Sequence, residues 1–128
     1  MKIILDTNFL IYCAREKLDY MEEIAEMINE GYDLVVPLQV IRELQQLRAD
    51  KWKKVSGKDK NAADLALQII DAKKIKKVEA TGKTVDEAIV NLSREDAKNI
   101  VCTLDREMRF TLGRVILVSK GKKLILTK

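Results

Sequence analysis

The sequence predicts a small α/β domain in three layers, with a parallel sheet covered by helices on both faces. Two observations lead there. Short continuous apolar runs, the pattern of strands buried on both sides, alternate with stretches of helical period in the order β-α-α-β-α-α-β-α-β-α-β. The chain has 128 residues, 47% hydrophobic and 34% charged, which suits one domain over residues 1–128 with a single core.

Ile3-Ile4-Leu5 is the first strand and stops at Asp6-Thr7-Asn8, after which Phe9-Leu10-Ile11-Tyr12 opens a helix. Met21, Ile24, Ala25 and Ile28 repeat at helical spacing opposite Glu22, Glu23, Glu26 and Glu30, and Gly31 ends that helix. Leu34-Val35-Val36 is the second strand, closed by Pro37. Val40, Ile41, Leu44 and Leu47 form the next helical stripe. Arg48 to Lys60 is the one stretch of loop-like composition, and Ala62, Ala66, Ile69 and Ile70 mark a further helix. Ile75 to Val78 is the third strand. Thr84-Val-Asp-Glu87 is a capping box that opens a helix with Val85, Ala88, Ile89 and Leu92 on its apolar side. Ile100 to Leu104 is the fourth strand, followed by a short helix that ends at Gly113. Val115 to Val118 is the fifth strand, and Leu124 to Leu126 reads as a sixth at an edge.

Composition removes whole classes of chemistry. The chain has no histidine, which excludes Ser-His-Asp and Cys-His nucleophiles, histidine bases and Cys/His zinc sites. Cys13 and Cys102 are the only cysteines, enough for one disulfide but not for a disulfide framework. No apolar run approaches the ~18 residues of a membrane span, and the first residues lack a signal-peptide pattern, so a cytoplasmic location without membrane attachment is expected. Residues 1–41 carry 3 basic and 8 acidic side chains, whereas residues 42–128 carry 21 basic and 12 acidic. That asymmetry suits a polyanionic partner, and equally a lysine-rich surface with none.

Sites in such sheets form beyond the carboxyl ends of the strands. Asp6 and Asp105 directly follow strands, Asp86 lies in the first turn after the third strand's connection, and Glu43 sits one turn into the helix after the second. Taken singly, Asp6 and Asp105 read as helix N-caps, Asp86 as a helix-dipole partner and Glu43 as a border residue. Taken together, all four fall on one rim under one topology. Clustered carboxylates repel one another, and a divalent cation resolves the conflict. Hard oxygen donors without histidine or thiolate suit Mg²⁺ or Mn²⁺, which activate water and neutralise charge in phosphodiester hydrolysis.

These residues resemble the PIN-domain nucleases, the family of VapC-type toxins and ribosomal-RNA-processing endonucleases. Ile-Ile-Leu-Asp6-Thr7-Asn8 looks like the family's first motif, and Val36-Pro37-Leu-Gln-Val40-Ile41-Arg42-Glu43-Leu44 its second. Asp86-Glu-Ala-Ile89 and Val101-Cys-Thr103-Leu104-Asp105 resemble the third and fourth. The resemblance implies a central parallel sheet of five strands in order 3-2-1-4-5. It also implies Mg²⁺- or Mn²⁺-dependent cleavage of RNA, with Asp6, Glu43, Asp86 and Asp105 as catalytic metal ligands and Asn8 and Thr103 as supporting polar groups. Leu104 departs from the pattern, since many members have a polar residue there. Homodimers and, for a toxin-type member, an antitoxin protein are further implied partners.

The expected RNA surface is the stretch of Arg48, Lys51, Lys53, Lys54, Lys58 and Lys60, with Trp52 either stacking on a base or anchoring the loop. The helix of residues 62–72 is apolar on more than one side, which calls either for a second copy or for cover from residues 114–128. Two other classes share parts of this pattern. A phosphoaspartate enzyme or receiver domain needs a second acid where Asn8 stands or beside Asp6. A catalytically silent RNA-binding or scaffold protein of the same fold would keep the shape, and here all four acids remain.

Overall fold

The computed structural model describes residues 1–51 and 55–127. In chain order the elements are β1 (Lys2–Leu5), α1 (Thr7–Arg15), α2 (Tyr20–Met27), β2 (Asp33–Pro37), α3 (Leu38–Arg48), α4 (Gly57–Ala72), β3 (Lys76–Val78) and α5 (Val85–Ser93). There follow β4 (Ile100–Cys102), a 3₁₀ turn (Arg106–Met108), α6 (Arg109–Leu112), β5 (Val115–Val118) and β6 (Leu124–Thr127). The strands make one sheet in the order β3-β2-β1-β4-β5-β6, flanked by helices.

The first five strands are parallel, with Ile4 opposite both Val35 and Val101 in the centre. β1 and β4 are therefore neighbours, as the placement of Asp6 and Asp105 requires. The sheet is not parallel throughout. β6, the sixth strand expected at an edge, runs antiparallel to β5, with Ile116 opposite Leu126, so the six-stranded sheet is mixed. A tight turn makes this possible: Ser119 N–H donates to the Lys123 carbonyl at 2.7 Å, and Lys122 adopts φ 58°. An antiparallel partner needs only such a turn, whereas a parallel one needs a full crossover.

Ile3, Ile4 and Leu5 of β1 are wholly buried, as are Ile100, Val101 and Cys102 of β4. α4 packs against both α1 and α3. Its Ala62, Ala63, Ala66, Leu67 and Ile70 are buried, so α1 and α3 cover both of its apolar sides within the chain. Leu65 is a large apolar side chain of this helix left open, at 40% exposure. Phe9 and Tyr20 pack edge to face, ring centroids 5.9 Å apart. Cys13 and Cys102 are buried free thiols, and burial pushes Cys13 up to about 12. No disulfide joins them. Among the described residues no helix is long and apolar enough to cross a membrane.

Several boundaries differ from expectation. α2 ends at Met27, with Ile28 already extended, short of Gly31. β4 ends at Cys102, two residues early, because Thr103 and Leu104 leave the strand path to form the rim. α4 begins at Gly57, so Lys58 and Lys60 lie on a helix and not in a loop. Its start is set by Ser56, whose hydroxyl accepts from Asp59 N–H at 3.1 Å.

Candidate active site

The apolar run of β1 carries the chain to the carboxyl edge of the sheet, and Asp6 is the first residue beyond it. Its N–H still donates to the Cys102 carbonyl at 3.1 Å, which holds it against the end of β4. Its Oδ1 caps α1 by accepting from Thr7 N–H at 2.8 Å, and its Oδ2 accepts the Thr103 hydroxyl at 2.9 Å. Asp6 is only 6% exposed. Asp6 is therefore both the N-cap of α1 and the hydrogen-bond partner of the residue that follows β4.

Thr103 is wholly buried and links two acids. While its hydroxyl donates to Asp6, its Oγ1 accepts from Asp105 N–H at 3.1 Å. Asp105 is exposed and caps the 3₁₀ turn, Oδ1 accepting from Glu107 N–H at 2.9 Å. Glu43 lies half-buried on α3, and Asp86 is exposed in the first turn of α5. Asn8 is exposed on the first turn of α1.

Burial raises the Asp6 carboxyl above its ordinary 3.8. The hydrogen bonds from Thr103 and Thr7 oppose that rise, and the charges of Asp86 and Glu43 add to it. The structure thus brings Asp6, Glu43 and Asp86 into one electrostatic neighbourhood. Asp105 is linked to Asp6 through Thr103. Among the described residues no three acid or thiol side chains close into a metal-holding group, so the rim is an open array of oxygens.

Residues that the sequence did not single out hold this array together. Gln39 lies one helical turn before Glu43 on the same face of α3, and its Nε2 donates to the carbonyls of Ala80 and Gly82 at 2.7 and 2.8 Å. Asn91 Nδ2 donates to the Thr81 carbonyl at 2.6 Å. Residues 80–82 are thereby fastened to the helices that bear Glu43 and Asp86. Gly82 sits at φ +145°, and a Cβ there would meet Ala88 N at 2.7 Å, so only glycine fits. Thr84 caps α5 as expected, through Glu87 N–H at 3.1 Å. Glu87 reaches back one residue further than expected, to Lys83 N–H at 2.9 Å. The signal for Gln39 was its i, i+4 spacing to Glu43; the signal for Gly82 was a lone glycine just before a capping box.

The residues of the expected RNA surface differ in exposure. Arg48 pairs with Asp64 at 3.4 Å, Lys51 and Lys58 are exposed, and Lys60 is half-buried on α4. Trp52, Lys53 and Lys54 lie outside the described residues. Past Asp105, Phe110 is 79% exposed with the Arg109 guanidinium 5.0 Å from its ring centroid.

Comparison with known proteins matches this geometry to one family. A family model described as "PIN like domain" matches residues 3–120. Ribonuclease VapC4 of Methanocaldococcus jannaschii is 38% identical over 108 residues, 84% of this chain and 79% of that protein. The solved PIN domain endonuclease Utp24 superposes with a TM-score of 0.75 at 20% identity, over 98% of this chain and 90% of the other. VapBC2 from Rickettsia felis, solved bound to a DNA fragment from its promoter, gives a TM-score of 0.58 at 14% identity, over 87% and 93%. These last two likenesses are of fold.

Proposed function

The chain belongs to the PIN-like domain family, and from that premise we propose that it is a divalent-metal-dependent ribonuclease that hydrolyses RNA phosphodiester bonds at the rim of Asp6, Glu43, Asp86 and Asp105. One observation carries the reading. Asp6 is a buried carboxyl whose ionisation is opposed by its burial and by two neighbouring acids, and among the described residues no lysine or arginine is hydrogen-bonded to it. A purely structural cap has no use for such neighbours; a cation site has.

The donors fit a hard cation, since all are carboxylate oxygens and none is nitrogen or sulfur. Mg²⁺ keeps several of its waters and binds through one or two carboxylates plus substrate phosphate, so an open array suits it better than a closed cage. When bound, Mg²⁺ or Mn²⁺ would activate water and neutralise the phosphate charge that builds in the transition state. The chain's own part is positional. Thr103 and Thr7 N–H hold Asp6 in one orientation, Thr103 spaces Asp105 from it, and Gln39 keeps the Glu43 and Asp86 helices in register.

The test is cleavage of single-stranded RNA by purified protein with Mn²⁺, with Mg²⁺ and with chelator, together with calorimetric Mn²⁺ binding. Metal-dependent cleavage that disappears in Asp6→Asn is the expected result. RNA binding without cleavage by wild type would favour the silent-scaffold reading, and absence of Mn²⁺ binding at millimolar metal would remove the metal site. An antitoxin protein is a second proposed partner, favoured by the apolar groove of Leu18, Tyr20, Met21, Leu65 and Ile69 between α1, α2 and α4, which none of the four acids lines.

A further inference from the structure

Beside the acid rim lies a pocket of about 360 Å³ that the ribonuclease reading does not use. It is lined by Asn8, Ile11, Tyr12 and Arg15 of α1, Leu47 of α3, Val55, Ser56 and Asp59 at the start of α4, and Leu104. Its mouth adjoins the site on two sides. Asn8 stands two residues after Asp6, and Leu104 immediately precedes Asp105. The volume is within the range of small-ligand sites, roughly 300–1,000 Å³.

The lining is mixed. Arg15, the cationic wall residue, is matched by Asp59 at 3.1 Å. Around that pair stand Ile11, Leu47, Val55 and Leu104, the aromatic side chain of Tyr12, and polar edges from the Asn8 amide and the Ser56 hydroxyl. That is the environment of a flat, neutral ring with polar edges. Leu104 completes it: at 36% exposure it is a large apolar side chain left open immediately before Asp105.

We infer that this pocket receives one nucleobase of the RNA adjacent to the bond that is cut, with Leu104 and Tyr12 as its principal contacts. The inference rests on the ribonuclease reading for its substrate class. A base seated there fixes the neighbouring phosphate against Asp6 and Asp105, so the pocket selects sequence while the acids do not.

Two measurements on the full chain test it. First, isotope-labelled protein is titrated with the four nucleoside 5′-monophosphates and with ribose 5-phosphate, following the amides of Ile11, Val55 and Leu104 by NMR. At least one nucleotide should shift them saturably and ribose 5-phosphate should not. Leu104→Asn, on an open position that does not threaten folding, should weaken that nucleotide about tenfold, the loss expected when roughly 50 Å² of apolar contact is removed. Equal shifts with ribose 5-phosphate, or none with any nucleotide, overturn the pocket. Second, cleavage of a sequence-randomised single-stranded RNA pool with Mn²⁺ should show a base preference at one position flanking the cut, flattened in Leu104→Asn and Tyr12→Ala. Cleavage with a preference unchanged in both variants sinks the pocket and leaves the ribonuclease reading standing. Nucleotide shifts without any cleavage by wild type count for the pocket and against that reading.

Discussion

Replacing Gln39 by Ala should loosen the rim and leave the core as it is. The side chain makes two hydrogen bonds, to the Ala80 and Gly82 carbonyls, while its own Oε1 is buried without a partner. Two such bonds contribute about 2 kcal/mol net, and removing the orphan acceptor offsets about 1 kcal/mol of the loss. Gln39→Ala should therefore cost about 1 kcal/mol, a fall in Tm of about 3–5 °C for a domain of this size. Gln39→Glu keeps the length but turns an acceptor towards both carbonyls, and should cost more, about 2–3 kcal/mol. Thermal unfolding by circular dichroism in chelator at pH 7.5 reads both. Activity gives a second readout, because a 1 Å misplacement of a positioned group costs on the order of 100-fold. Cleavage should drop at least tenfold in Gln39→Ala although its Glu43 and Asp86 are intact. A glutamate variant as stable as the alanine one, or full activity in both, would refute the clasp.

Asp6→Asn should abolish cleavage, and activity within twofold of wild type in the RNA assay would refute the assignment. The Asp6 carboxyl is raised by burial, so the folded state binds its proton more tightly than the unfolded state does. Stability in metal-free buffer should therefore fall as pH rises from about 3.8 through the raised value, and the asparagine variant should lack that component of the fall in pH-dependent denaturant titrations. Gly82→Ala forces a Cβ against backbone at φ +145° and should cost at least about 2 kcal/mol, visible as an earlier urea midpoint. Reversing Lys51 and Lys58 to Glu should weaken RNA binding at low salt and flatten its salt dependence, by about 0.7 in the log–log slope for each phosphate no longer neutralised. Unchanged affinity by filter binding would move the RNA path elsewhere.

The common placement of Asp6 and Asp105 was legible because each follows an apolar run. Ile3-Ile4-Leu5 and Ile100-Val101-Cys102 announce buried strands, and with parallel pairing Asp6 and Asp105 fall at the same end. The β6 hairpin escaped a fully parallel reading because Ser119 to Lys123 contains no asparagine–glycine pair to mark a turn. The early start of α4 was hidden by its lysines, which look like loop while the Ser56–Asp59 cap decides the matter. The hydrogen bonds from Gln39 to Ala80 and Gly82 span about forty positions, and no local periodicity encodes them. Nor could composition show that Thr103 would join Asp105 to Asp6.

The Thr103 hydroxyl gives the hydrogen-bond chain a direction: Asp105 N–H to Thr103, Thr103 to Asp6. Each link polarises the next, so the rotor has one preferred setting and the amide dipole of the fourth strand's end is delivered to a carboxylate of the first. That delivery exists in only one alignment of β1 with β4, the one that sets Leu5 opposite Cys102. A slip of one residue would turn Thr103 to the other side of the sheet and leave Asp6 buried with a bond missing. Misaligned chains would thus be penalised twice, once for exposed apolar side chains and once at the acids. Folding fidelity and chemical competence are selected together at this one pair of strands.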